Sequence, residues 1–584
     1  MGNLSKAHRR RWAPAASPLT RRRLVNIVAT AVIGLGTSVA FGATPTADWL
    51  TGGQNLDNSR YQPNESAISS GNVSTLAPKF AFTAGGDVSA TPAVDGQMVY
   101  FPDSAGNLFA IDRSTGATVW TASISGLSQI NVANGATGND YARATPAIAG
   151  QVLIIGTQSG KFQTPAFAAA HPDLAGGYVL GLNKNTGALL WRTKVHDHFA
   201  AFVTQSAQVN GNTAYVGVAS NEEAFSNQDF SGGIPYTCCS FRGRFLALDT
   251  KTGAIKWATY TLPDDEGYSG APIWGSTPAI DKQRGAVYIT TGNNYSLPAD
   301  RITCVDEATT FEAKQACLAG DNFDAIMSLN MQTGAINWSY RALASDAWNT
   351  DCGLPGFSEG GTNPGNCPEN AGPDYDFGQG PMLLTAKIGG KQVDIVGAGQ
   401  KSGDFTAVDR NTGAKLWMKN VGPGGLLGGL QWGSATDGKR IYVAESNSSF
   451  DDTPGWWSAL DPATGDELWR TVDPGTGIGG ESCAFIFPGC TWAAIGIGFG
   501  YSAQGPVSAA NGVVYACSLN PIGSNMYAMD AATGQVKWSY ASGASCLGGA
   551  AIANGTVYWG TGYRVFAPLT TGGNKLFAFT PNGN

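Results

Sequence analysis

Seven times this chain repeats one phrase: a short apolar run, Asp or Asn, two variable residues, Thr-Gly, and a Trp four residues beyond the Gly. The copies start with LFAIDRSTGATVW and end at Trp120, Trp191, Trp257, Trp338, Trp417, Trp469 and Trp538. Each reads as a β-hairpin. The Asp or Asn caps a tight turn, the Gly takes the positive φ of a bulged turn, and the Trp packs between neighbouring sheets. Two further strand-like runs precede most copies, as in SATPAVDG and QMVYFPDS, so one repeat is a four-stranded unit. A radial array of such units is a β-propeller.

The ends supply an eighth unit. The C-terminal KLFAFTPNGN stops after a third strand, and LAPKFAFTAGG from Leu76 reads as the missing fourth, with Phe80 in the Trp position. The expected fold is therefore an all-β, eight-bladed propeller closed by its N- and C-terminal strands, which leaves no free sheet edge around the ring. Spacings of 52 to 81 residues between successive Trp exceed the roughly 40 to 50 of a bare blade. Loops are inserted, and inserted loops are where function tends to sit.

Composition fits one large exported body over residues 44–584, with 79 Gly, 16 Trp and only 14% charged residues. Residues 1–43 read as an export signal: seven Lys or Arg and no acid, then LVNIVATAVIGLGTSVAFG, then small residues at Gly42 and Ala43. Thr20-Arg21-Arg22-Arg23-Leu24-Val25 fits a twin-arginine signal, and an uncleaved membrane anchor is the alternative reading. Cleavage would double the formal charge of −7 and leave no membrane span, and an acidic surface argues against nucleic acid. The expected location is periplasmic or secreted.

Ten Cys in an exported chain suggest five disulfides. Proximity suggests Cys304 with Cys317, Cys352 with Cys367, Cys483 with Cys490, and Cys517 with Cys546 across the last two blades. Cys238 and Cys239 remain and are adjacent. They bond each other through a strained ring or take separate partners, and the chain alone favours neither.

Their context, TCCSFRGRFLALD, resembles the quinoprotein alcohol dehydrogenases, eight-bladed enzymes in which a vicinal disulfide lies against pyrroloquinoline quinone (PQQ). That resemblance implies a Cys238–Cys239 bond. It continues through WGSTPAIDKQRGAVYITTGN, where it implies Trp274 as the platform beneath the quinone and Asn293 as a calcium ligand. Read blandly, these are a core Trp and a turn Asn. In LAGDNFDAIMSLN the family's GDN segment places Asp321 as general base and metal neighbour. Alcohol oxidation needs the hydroxyl proton removed as hydride leaves carbon, and a carboxylate can take it. The plain alternative is an Asx-turn. VGVASNEEAF resembles the segment ending in a calcium-ligand Glu, pointing to Glu222 with Glu223 as substitute, or to an acidic surface loop. Only four His are present, one of them in the leader, so a His-based metal centre is not expected.

GQKSGDFTAVDRNTG resembles the family segment whose basic residue contacts the quinone carbonyls, which implies that role for Lys401; the plain alternative is a solvated surface lysine. Arg143 in ARATPAI suits a quinone carboxylate, and Gln431-Trp432 stands where the family has Asn-Trp. SDAWNTD resembles HDxWDxD, with Ser345 and Asn349 departing from it and Asp346 and Asp351 at the rim. Two further departures are the vicinal pair's place in the third repeat and Ser89 where a Glu is usual. SNEEAF, CCSFRG and GGLQWGSATD together resemble the polyvinyl alcohol dehydrogenases of this family. The resemblance implies a PQQ- and calcium-dependent oxidation of an alcohol, polymeric or a small secondary alcohol. Cys-x-x-Cys-His, needed to attach haem c, is absent from the sequence, so it further implies a separate periplasmic cytochrome c as electron acceptor. Segments 294–320 and 342–380 are expected at the substrate entrance. A small-alcohol or sugar dehydrogenase, or a non-catalytic scaffold of outer-membrane assembly, stands as the alternative.

Overall fold

Eight four-stranded antiparallel sheets follow one another along the chain. Blade 1 consists of Ala93–Asp95, Met98–Pro102, Asn107–Asp112 and Thr118–Ser123, ordered from the axis outwards. Blade 8 is made of Ala551–Ala553, Thr556–Gly560 and Lys575–Pro581, and its outermost strand is the N-terminal Leu76–Thr83. The ring closes as an eight-bladed propeller through its two ends. The computed structural model describes residues 47–230, 234–264, 267–353, 365–446, 454–474, 503–521, 523–566 and 570–584. Among them no helix is long and apolar enough to cross a membrane.

The Trp repeat holds neighbouring blades together in the same way each time. Trp120 lies so close over Gly187 of the next blade that a Cβ there would meet its ring at 2.6 Å. Trp191 covers Gly253, Trp257 covers Gly334, Trp338 covers Gly413, Trp417 covers Gly465 and Trp469 covers Gly534. The indole N–H then donates across the seam, from Trp120 to Lys184 O (2.9 Å) and from Trp191 to Thr250 O (3.0 Å). Phe80 covers Gly116 in the same manner, and Trp538 donates to Leu76 O (2.8 Å), so both seams of blade 8 are made from the terminal strand. These Gly have φ between 71 and 76°, the left-handed region where a side chain is strained.

The inner strands would present eight unpaired edges to the axis. The segment 49–62 runs around the inside of the ring and bonds to each blade in turn. Trp49 exchanges two main-chain hydrogen bonds with Val94 (2.9 and 2.8 Å), and Ile148 N–H donates to Leu50 O (2.9 Å). The Thr51 hydroxyl donates to Ala207 O (2.8 Å). Ile280, Leu383, Thr436 and Ala509 donate their N–H to the carbonyls of Leu56, Asp57, Ser59 and Arg60 at 2.7 to 2.9 Å. The Gln62 amide reaches Ile552 O of blade 8 at 3.2 Å. This belt forms the floor of an axial cup and was not foreseen from the sequence.

Four of the expected disulfides are present: Cys238–Cys239 across a cis peptide, Cys304–Cys317 between two short helices, Cys352–Cys367, and Cys517–Cys546 between blades 7 and 8. Cys483 and Cys490 lie outside the described residues.

Gly253→Ala forces its new methyl against the Trp191 ring at a strained φ, and should cost on the order of 1–3 kcal/mol. Gly211→Ala has a similar φ of 62° but nothing within 4 Å, and should cost less. Thermal melts of both variants check this; equal losses would contradict Trp docking as the seam's main support.

Candidate functional site

In an antiparallel blade the loop entering the innermost strand and the loop joining the second and third strands emerge at the same end. The residues singled out above fall in those loops. Arg143 precedes Ala147–Ala149, and Trp274 precedes Ala279–Asp281. Glu222 and the Cys238–Cys239 pair lie between Thr213–Ser220 and Arg244–Asp249, and Asn293 and Asp321 between Ala286–Thr290 and Ala325–Asn330. Lys401 joins Lys391–Gly399 to Asp404–Asp409, and Gln431 and Trp432 precede Ala435–Thr436. Topology therefore gathers them on one face of the ring.

At one end of that face carboxylates gather around Lys401. Its amine lies 3.0 Å from Asp374 Oδ1 and also pairs with Asp376. Burial alone would pull the Lys401 amine down, but Asp374, Asp376 and Glu223 outweigh it and hold the amine charged. Asp376 accepts the Asn293 N–H at 2.9 Å. Asn293 uses its amide N–H groups on Asn294 O and Trp348 O, which leaves its buried Oδ1 without a partner. Glu223 also has a buried, partnerless Oε1 within the same group, and burial, then Asp376, pushes its carboxyl up to about 8. Asp324 is fully buried and its carboxyl meets that of Asp346; burial, then Asp346 and Asp376, raises it well above the carboxylate range. Buried acceptors left without a partner cost free energy unless a cation or donor meets them. They are the hard oxygens a divalent cation such as calcium takes. Among the described residues no three His, Cys, Asp or Glu close on a single point, so a cation there would also need amide oxygens and oxygens supplied by a ligand.

Glu222 lies elsewhere in the network. Its Oε1 accepts from Tyr236 Oη (2.6 Å), Ser240 N–H (2.8 Å) and His198, and its Oε2 from Phe241 N–H (2.7 Å). Burial would raise this carboxyl, but His198 and these donors outweigh it and hold it below its usual range. With its acceptors occupied, Glu222 clamps the loop that carries Cys238–Cys239. Asp321 is also apart from the acidic end. It accepts from Asn294 Nδ2 (2.8 Å) and Phe323 N–H (3.2 Å), and burial pushes it up to about 7, with Arg341 the nearest charge. Of the two rim candidates, Asp346 joins the acidic end, whereas Asp351 accepts from the Asn366 and Cys367 N–H groups.

At the other end is an axial cavity of about 500 Å³, counting its open mouth, lined by Arg60, Arg143, Trp274 and Trp432. The Arg143 guanidinium lies 4.9 Å over the Trp432 ring and 5.7 Å from Tyr563. Arg60 rises from the belt and donates to Val507 O, Gly52 O, Thr91 and Ser508, with no carboxylate near it. The indole nitrogens of Trp274 and Trp432 are buried and partnerless. Gly292 joins the two ends: a Cβ there would meet Trp274 at 3.0 Å and collide with Asp376. Gln431 is buried and accepts from Gln504 (3.3 Å). Cys238 N–H donates to Asn366 (3.0 Å), and Cys239 packs in the cluster that contains Phe241 and Tyr295.

The sequence reading missed Asp324, Asp374 and Asp376. Asp324 carried a usable signal: the residue before the third strand is Gly or Asn in the seven other blades and Asp here, at a φ of 40°.

Fold and site define a class, an eight-bladed propeller with a cationic axial cavity beside an acidic end built around Lys401. Two family models match: "glucose/ethanol/alcohol dehydrogenase, beta-propeller domain" over residues 49–357, more than half the chain, and "outer membrane protein assembly factor BamB" over residues 401–583. Polyvinylalcohol dehydrogenase of Pseudomonas sp is 28% identical over 573 residues, covering 92% of this chain and 77% of the relative. The polyvinylalcohol dehydrogenase of Sphingopyxis sp. (strain 113P3) is 29% identical, with 90% and 75% covered. The solved quinohemoprotein alcohol dehydrogenase of Comamonas testosteroni superposes with a TM-score of 0.62 at 16% identity, covering 92% of this chain and 81% of that one. A europium-containing methanol dehydrogenase gives 0.61 at 17%, covering 91% and 98%. The chain belongs to the quinoprotein glucose/ethanol/alcohol dehydrogenase β-propeller family, and it is an alcohol dehydrogenase of the PQQ type.

Glu222→Gln removes the charge from a four-donor clamp and should lower thermal stability by about 2 kcal/mol. Glu223→Gln removes a crowded acid and should melt no lower than wild type in EDTA. Calorimetry of both variants checks the contrast, and the reverse order would contradict these placements.

Proposed function

We propose that this chain is a periplasmic, PQQ- and calcium-dependent dehydrogenase of secondary alcohols, polyvinyl alcohol among them, that passes its electrons to a cytochrome c. The observation that carries this reading is one face of the ring, with the axial cavity and its unpaired cations at one end, Trp274 between, and orphaned hard oxygens at the other. PQQ has the matching shape and charge, a flat tricycle with carboxylates at one side and quinone oxygens at the other. When bound it supplies the two-electron acceptor that no side chain provides.

The chain's own residues have separable tasks. Trp274 offers the flat face, Arg143 a fork for a carboxylate, and Cys238–Cys239 a wall held by Glu222. Asn293 Oδ1 and Glu223, rather than the occupied Glu222, would hold the calcium ion. Lys401, kept charged by three acids, stands where negative charge develops on the oxygens of a reduced cofactor. Asp324 stands at the acidic end beside Asp346 and Asp376, and we assign it the alcohol proton, once a bound cation lowers it, in place of Asp321, whose oxygens are committed to Asn294 and Phe323. The polymer preference rests on the likeness to the two polyvinylalcohol dehydrogenases, and export on the basic and apolar residues 1–43.

Dye-linked oxidation of polyvinyl alcohol and small secondary alcohols, with and without added PQQ and calcium, tests the reading. Turnover should require both additions. Asp324→Asn should lower kcat by at least about a hundredfold, the usual contribution of a general base, and Asp321→Asn by less. Turnover without PQQ, or full loss in Asp321→Asn with Asp324→Asn active, would contradict it.

A further inference from the structure

Lys161 is the described cation for which neither the fold nor the roles above give a reason. It lies between Val152–Gly156 and Gly177–Asn183 of blade 2, on the face that carries the site. Its amine is 3.3 Å from Tyr141 Oη and is held between the faces of Tyr141 (5.8 Å) and Phe202 (5.7 Å). Phe202 in turn packs against Trp274, with centroids 5.6 Å apart, so Lys161 is one ring removed from the platform. The charge that acts on it is Arg143, of the same sign. Among the described residues fourteen ion pairs occur, and neither Lys161, Arg143 nor Arg60 takes part in one of them. Lys161 is packed by protein yet keeps partial solvent contact.

An unpaired amine beside a guanidinium is unfavourable in the empty protein. Desolvation, then Arg143, pulls it down to about 7. Packing does not demand a Lys here, since a methionine would fill the space between two rings without the repulsion. An incoming anion removes the difficulty by giving both cations a partner.

We propose that Lys161 is a cofactor-binding residue: with Arg143 it forms a two-cation cradle that receives a carboxylate of the quinone at the blade 2 side of the cavity. This rests on the reading under Proposed function and adds a residue to it. The cradle selects for a carboxylated quinone over an uncharged one.

Quinone-free, full-length wild type, Lys161→Met and Lys161→Arg would be titrated with PQQ and with its uncharged trimethyl ester, following tryptophan fluorescence. Lys161→Met should weaken PQQ by about tenfold or more, the factor expected for one charge-assisted hydrogen bond, while binding the ester as wild type does. Lys161→Arg should recover most of the affinity. The quinone-free Lys161→Met protein should melt no lower than wild type, because no ion pair is given up. PQQ affinity unchanged in Lys161→Met, or PQQ and ester weakened alike, would overturn the cradle while leaving the proposed function standing. A wild-type protein that binds neither quinone would overturn both.

Discussion

The site depends on how the eight innermost strands are satisfied. Each has one ladder edge facing the axis, where an open channel would leave polar groups without partners or fill with water. The 49–62 belt answers all eight in order, from Trp49 against Val94 to Gln62 against Ile552. Its closeness to the blades is visible at Gly52, where a Cβ would meet Thr277 Oγ1 at 2.5 Å and Ser206 Oγ at 2.9 Å. With the channel floored, the loops of the opposite half enclose a cup instead of a pore. Arg60, carried by the belt, brings a buried guanidinium to the base of that cup. Trp docking holds blade to blade, and the belt makes the ring a container.

Charge is separated within the container. Arg60, Arg143 and Lys161 are unpaired on one side, while Glu223, Asp324, Asp346, Asp374 and Asp376 crowd around one lysine on the other. Either group alone destabilises the empty fold, since burial penalises charge and like charges repel. A guest that is anionic at one end and brings a cation to the other relieves both at once, and its binding free energy then adds to stability. The Cys238–Cys239 loop is anchored separately, through Glu222, which accepts from Ser240 and Phe241 N–H.

The propeller was legible because its seams repeat one local chemistry: the Gly-to-Trp spacing reports a side-chain contact, and Phe80 could be recognised as its eighth instance. The belt was not, because it bonds through main-chain groups that demand no residue type. In the site, Trp274, Asn293, Lys401 and Arg143 sit in motifs with context and do meet on one face. Asp374 and Asp376 come from a loop without repeat character and reach Lys401 only through the fold. The pair Glu222 and Glu223 shows the limit most clearly, since adjacent identical side chains on one short helix point to different networks. Asp321 and Asp324 differ likewise: the first stands in the recognisable GDN phrase, the second at the strand entry, where it meets Asp346 and Asp376.

One face of the ring is proposed to take a polyanionic quinone and a hard divalent cation together. Isothermal titration of the quinone-free, metal-free chain with PQQ, repeated in the presence of calcium, measures it most directly. The account predicts one quinone per chain, bound more tightly with calcium, and calcium bound more tightly by the same factor with quinone present. Absence of quinone binding, or quinone and calcium affinities indifferent to one another, would contradict it.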